Sequence, residues 1–224
     1  MNNLFAEILT YKKFILMAEI KIKSPVEGVL GKMEDIEKIA KEYQRGGADM
    51  ISAVTEEKLF GGDLSIVKKI KKVTKLPALC KDFIREEKQL NYVKKAGADA
   101  VLLIAFLVDR QKLRSLYRYA GILGLEVVTE VDNEKNLMMA IEEKFPVIAV
   151  NARNLKDLSV DREKAVRLIK KIPENKISLA FSGVRDNDDV RNYLNAGAKG
   201  VLIGTSLMRA KNKIAFLRKI KSIS

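Results

Sequence analysis

The sequence predicts a (β/α)8 barrel, and three observations predict it. Eight short β-branched runs alternate with eight longer amphipathic stretches, the pattern of a parallel sheet with helices packed on it. The chain has 224 residues, near the low end of the size range for eight such units. Gly47-Ala48-Asp49 recurs as Gly97-Ala98-Asp99, and Gly197-Ala198-Lys199 takes the same place a third time, each after a helical stretch and before a strand. The glycine suits the left-handed residue that ends a helix, and the spacing corresponds to pairs of βα units. A doubly wound open sheet is the alternative arrangement of the same alternation.

Taken in order, the predicted strands cover residues 14–22, 50–54, 78–80, 100–104, 126–131, 147–150, 177–181 and 200–203. The helical periodicity covers 33–45, 64–73, 86–95, 109–123, 134–144, 162–171, 186–195 and 206–220. Residues 1–13 form a short N-terminal extension in which 4–11 has helical character. No low-complexity stretch or linker divides the chain, so one domain is expected over 1–224.

Composition narrows the chemistry. Without histidine, imidazole acid–base catalysis, histidine metal ligands and a Ser-His-Asp triad are excluded. One cysteine, Cys80, excludes an intrachain disulfide and a cysteine zinc cluster. Proton transfer therefore falls to lysine, carboxylates or tyrosine, with no metal or cofactor called for. The formal charge is +13, but the lysines are scattered at helical spacing beside glutamates and no aromatic platform interleaves them. That pattern is a solvated lysine-rich shell and not a nucleic-acid surface. No apolar run reaches the roughly 18–20 residues of a membrane span, and Glu7 interrupts the N-terminal stretch. The expected setting is the cytoplasm, and the expected state a monomer or weak homo-oligomer.

Barrel strands are apolar, and reactive groups collect at their C-terminal ends. Polar residues at those ends are Glu19 and Lys21 in strand one, Lys81 after strand three, Glu130 in strand five, and Asn151 with Arg153 after strand six. Ser182-Gly183 and Gly204-Thr205 follow strands seven and eight. These last two loops have the composition of a phosphate cradle, where glycine lets backbone approach the oxygens closely. The lysines and glutamates form a second group, able to serve as acids and bases when burial tunes them.

The runs AEIKIKSP (18–25), KDF (81–83), EVVTEV (126–131), VNARNL (150–155), SG (182–183) and LIGTSLMRA (202–210) together resemble the indole-3-glycerol-phosphate synthase family of tryptophan biosynthesis. The resemblance implies a cofactor-free lyase acting on a small phosphosugar substrate, 1-(2-carboxyphenylamino)-1-deoxyribulose 5-phosphate. It implies that Glu19 and Lys21 act as an acid–base pair, with Lys21 also near the phosphate. Lys81 corresponds to the acid that protonates the carbonyl oxygen, and Glu130 to the general base. Asn151 and Arg153 orient the substrate, Ser24 contacts it, and Phe60 and Phe83 wall the pocket. Ser182, Gly183, Gly204 and Thr205 hold the phosphate. Other readings are another phosphosugar barrel enzyme, or a non-catalytic or weakly active phosphate-binding barrel acting as a partner protein.

The sequence departs from the family pattern in three places. Phe181 stands before Ser182-Gly183 where the family usually has glutamate, Val26 replaces a serine after Ser24-Pro25, and the N-terminal extension is short. A phenylalanine facing the pocket implies slower turnover, whereas one facing the core implies a packing role.

Overall fold

A computed structural model of the chain describes residues 4–154 and 157–223; Met1 to Asn3 of the extension and Leu155 of the VNARNL run lie outside the described residues. Eight strands close into a barrel: β1 Ile15–Ile20, β2 Met50–Val54, β3 Ala78–Lys81, β4 Ala100–Ile104, β5 Glu126–Val131, β6 Val147–Asn151, β7 Ile177–Phe181 and β8 Gly200–Ile203. Every neighbouring pair is parallel, and β1 pairs with both β2 and β8. That double pairing leaves no edge and excludes the doubly wound sheet.

The helices are α1 Leu4–Tyr11, α2 Ile36–Gly46, α3 Ser65–Val73, α4 Glu87–Lys95, α5 Arg110–Ile122, α6 Glu134–Glu142, α7 Arg162–Ile169, α8 Asn187–Asn195, α9 Thr205–Arg209 and α10 Lys213–Lys221. The helix expected over 206–220 is thus two helices. Asn212 causes the break: its side chain accepts the backbone N–H of Ala215 and caps a new helix. The first strand is also shorter than expected, because the chain after Ile20 turns into a small hairpin that pairs Lys23–Ser24 with Gly28–Val29.

Side chains alternate between two apolar layers. The inward positions, among them Ile15, Met17, Met50, Leu79, Leu102, Val128, Leu179 and Leu202, fill the barrel. The outward positions pack under the helices. Phe181 is 1% exposed and belongs to the inward layer. It packs at the top of that layer, in register with Asn151 and Leu202, at the boundary between the core and the C-terminal mouth.

The extension forms α1 and inserts Phe5 and Leu9 into the same inward layer. It closes the N-terminal mouth, opposite the C-terminal ends of the strands. The glycine repeat explains how that mouth is held. Asp49 accepts the backbone N–H of Leu16 at 2.8 Å, and Asp99 accepts that of Ala78, also at 2.8 Å. Each carboxylate thus locks the strand before its own. Lys199, at the third repeat, instead donates to the carbonyls of Leu9 at 2.6 Å and Thr10 at 3.0 Å. The substitution of lysine for aspartate ties the plug helix to the barrel. Among the described residues no helix is long and apolar enough to cross a membrane.

Candidate active site

The polar inward residues sit one step above the apolar layer, at the C-terminal ends of the strands. Glu19 lies on β1 two residues past Met17, and Glu130 on β5 two residues past Val128. Strand periodicity therefore aims both carboxylates into the mouth. Glu19 forms an ion pair with Lys21, Oε1 to Nζ 2.9 Å, and both side chains are nearly buried. Burial opposes the charge of Glu19, but Lys21, Lys81 and Arg153 outweigh it and hold the carboxyl below its ordinary range. Glu19 is thus a fixed carboxylate.

Glu130 behaves oppositely. Burial pushes its carboxyl above the ordinary range against the pull of Lys81 and of Asn151, with Glu19 and Asp132 reinforcing the rise. Asn151 donates from Nδ2 to Glu130 Oε1 at 3.0 Å, while Oε2 has no partner among the described residues. Asn151 Oδ1 in turn accepts the backbone N–H of Arg153 at 2.9 Å, so Arg153 anchors Asn151 and Asn151 anchors Glu130. The two buried carboxyls are therefore driven toward opposite protonation states by different surroundings, the arrangement that separates acid–base roles.

Beside Glu19 and Lys21 opens a cleft of about 310 Å3. Arg153, Ser182, Gly183, Gly204 and Thr205 line it, all expected from the sequence. The glycines are there for space. A Cβ on Gly204 would lie 2.2 Å from Glu19 Oε1, and one on Gly183 would lie 2.8 Å from the Tyr193 hydroxyl oxygen. Ser182 and Gly183 are both left-handed, at φ 68° and 80°, an unusual conformation for serine. Their carbonyls are pinned by neighbouring side chains: Tyr193 donates to Ser182 O at 3.2 Å, and Arg162 Nε to Gly183 O at 2.6 Å.

Three further arginines line the cleft, Arg162, Arg185 and Arg209, together with Glu27. Sequence reasoning did not single them out. Arg185 and Arg209 sit within or just after the quoted runs, but an arginine at a helix start or end is ordinarily a solvated charge. The signal lay in their position next to the glycine pairs. Asp189, 5% exposed, ties two of them, accepting from Arg185 Nε at 2.9 Å and lying 3.3 Å from Arg162 Nε.

Six expected residues do not line this cleft: Lys81, Glu130 and Asn151, at the ends of β3, β5 and β6, and Ser24, Phe60 and Phe83. Ser24 is buried, and its Oγ accepts the Val26 N–H at 3.4 Å, within the hairpin after β1. Phe60 meets the base of that hairpin, its carbonyl accepting Lys23 N–H at 3.0 Å. Phe83 is partly buried and packs against the inward apolar layer. A separate groove of about 460 Å3 runs between α7 and α8 on the outside of the barrel, and none of the expected site residues lines it.

Residues 2–220 match the family model described as indole-3-glycerol phosphate synthase. The indole-3-glycerol phosphate synthase of Sulfurisphaera tokodaii is 42% identical over 205 residues, covering 92% of this chain and 82% of that one. The protein of the same name from an Exiguobacterium species is 36% identical, covering 94% and 83%.

The chain belongs to the indole-3-glycerol phosphate synthase family.

Among solved structures, a 3-hexulose-6-phosphate synthase from Salmonella typhimurium superposes with a TM-score of 0.73 at 18% identity, covering 93% of this chain and 97% of that one. A thiamine phosphate pyrophosphorylase from Pyrococcus furiosus gives 0.66 at 14% identity, with 96% of each chain covered. At such identities the likeness is one of fold. Family membership gives the buried Glu19–Lys21 pair, Lys81 and the Glu130–Asn151 pair a common context: they share one mouth, and the field of Lys81 acts on both carboxylates.

Proposed function

We propose that this protein is an indole-3-glycerol-phosphate synthase. It closes the ring of 1-(2-carboxyphenylamino)-1-deoxyribulose 5-phosphate with loss of carbon dioxide and water. The observation that carries this reading is the pair of buried carboxyls of opposite character, Glu19 charged against Lys21 and Glu130 raised beside Asn151, next to a cleft lined by five cationic side chains, Lys21, Arg153, Arg162, Arg185 and Arg209.

The substrate phosphate enters between Ser182-Gly183 and Gly204-Thr205, where the cations neutralise it and fix the orientation of the ribulose chain. Arg153 and Asn151 orient the aromatic end with its carboxylate. The ring carbon bearing the carboxylate attacks the sugar carbonyl. Negative charge grows on the carbonyl oxygen, and the Lys81 ammonium supplies its proton. The C–C bond to the carboxylate then breaks, carbon dioxide leaves, and its electron pair restores the ring. In the last stage the new hydroxyl departs as water. It takes a proton from the Lys21 ammonium, which the Glu19 ion pair holds in place, while Glu130 accepts the proton released from the ring system. A carboxyl raised by burial exchanges protons nearer neutrality than an exposed one, which suits that role. The reaction takes place in the cytoplasm and needs no cofactor.

The test is to supply the purified protein with this substrate and follow indole fluorescence and carbon dioxide release together. Equimolar appearance of both is expected. A folded protein that binds the substrate and releases neither would overturn the assignment.

A further inference from the structure

The phosphate cleft contains a carboxylate that an anion-binding site does not need. Glu27 lines it together with Ser182, Gly204 and Arg209. Its Oε2 forms an ion pair with Arg209. Glu27 is held there by the hairpin after β1. Ser24 pairs with Gly28, so Pro25, Val26 and Glu27 form a three-residue turn, and Gly28 is left-handed at φ 69°. That is the conformation such turns require at their closing glycine. The apolar residues of this hairpin are not packed: Val26 is 56% exposed and Val29 76%. Nothing lies within 4 Å of the position a Gly28 Cβ would occupy. Few contacts beyond the Arg209 ion pair therefore hold the tip against the cleft.

The neighbouring arginines are secured differently. Arg162 and Arg185 are tied to Asp189, which is buried on α8. Arg209 alone among these three pairs with a carboxylate on an exposed turn.

We propose that Glu27 occupies Arg209 in the free protein and is displaced by the substrate phosphate, so that this side chain sets how tightly the cleft holds a phosphate. The inference rests on the phosphate-cleft reading above. A dianion gains more from Arg209 and the adjoining cations than a single carboxylate does, so phosphate displaces Glu27 at a cost in affinity. The carboxylate, once released, swings outward with the unpacked tip. Weakly charged anions displace it poorly, and the cleft thereby selects for phosphate esters.

Binding of inorganic phosphate, measured by titration calorimetry at pH 8, provides the test. Glu27→Gln keeps the shape and removes the charge, and it is expected to tighten phosphate about tenfold, the scale of one partly screened charge contact. Arg209→Gln should weaken phosphate, and in the Glu27→Gln, Arg209→Gln double variant the gain from Glu27→Gln should vanish, because the two side chains act as one pair. Equal phosphate affinity in wild type and Glu27→Gln would overturn the role of Glu27 while leaving the cleft assignment standing. A gain that persists undiminished in the double variant would overturn the exchange with Arg209. Absence of phosphate binding in all four proteins would overturn the cleft assignment itself, and the inference with it.

Discussion

Asp49 and Glu130 are both buried carboxylates, one at each mouth of the barrel, and they are treated in opposite ways. At the N-terminal mouth Asp49 accepts from Leu16 N–H and pairs with Lys221 and with Lys12, the latter at 3.4 Å. Both of its oxygens are engaged. At the C-terminal mouth Glu130 has one oxygen bonded to Asn151 and the other without a partner among the described residues. A satisfied buried carboxylate holds strands together. A half-satisfied one costs folding free energy and gains reactivity. The same division separates α1, which fills the N-terminal mouth with Phe5 and Leu9, from the C-terminal mouth, where the cleft is left open and lined with charge. Packing and saturated ion pairs are concentrated at one end of the barrel, and the open, charged cleft at the other.

The comparison breaks if substitutions at the two mouths have interchangeable effects. The largest expected effect is on rate. Lys81→Ala should lower kcat by about 10²–10⁴-fold, the contribution of a general acid, with little change in melting temperature. Near-normal kcat would remove Lys81 from the chemistry.

At the other mouth, Phe5→Ala should lower stability by about 3–5 kcal/mol, the cost of emptying a buried aromatic site, while the remaining folded protein keeps its kcat. Chemical denaturation and steady-state assays on the same samples check both halves. Loss of kcat without loss of stability would mean that α1 serves the active site after all.

Phe181→Glu sharpens the boundary between the two regions. Phe181 lies in the inward apolar layer with Leu179 and Leu202, so a carboxylate there is buried without a partner. It should destabilise the fold by several kcal/mol, about 2–5 on the usual scale of such burial, and leave the rate no higher. A faster enzyme of unchanged stability would return Phe181 to the pocket.

The smallest effect concerns pH. Burial raises the Glu130 carboxyl, so the native protein retains a proton that the unfolded chain gives up. The associated stability is complete below the ordinary carboxylate range and is lost as pH rises through the raised native value. Glu130→Gln should therefore melt higher than wild type at pH 8, with the difference disappearing at pH 3. The variant should also be inactive. A melting temperature below wild type at pH 8 would show that the Glu130 charge is well matched in the native state.

Much of this division was legible in the sequence. Strand and helix alternation specified the barrel, and the glycine caps marked the N-terminal ends of strands. Polar residues in otherwise apolar strands marked Glu19, Glu130 and Asn151, because a strand two residues past a core position points the same way. What was not legible depends on relations between distant segments. The inward direction of Phe181 follows from its register with Asn151 and Leu202, which no local pattern supplies. Arg162, Arg185 and Arg209 look like surface charges until the barrel closes and Asp189 gathers two of them. The replacement of aspartate by Lys199 in the third repeat gained meaning only when α1 proved to lie beneath it.

A crystal structure of the protein with indole-3-glycerol phosphate bound tests the placement of the site most directly. The phosphate is expected between Ser182-Gly183 and Gly204-Thr205, the indole ring toward Lys81 and Glu130, and α1 unmoved at the opposite mouth. Product bound reproducibly at the N-terminal mouth or in the groove between α7 and α8, with the C-terminal cleft empty, would contradict it.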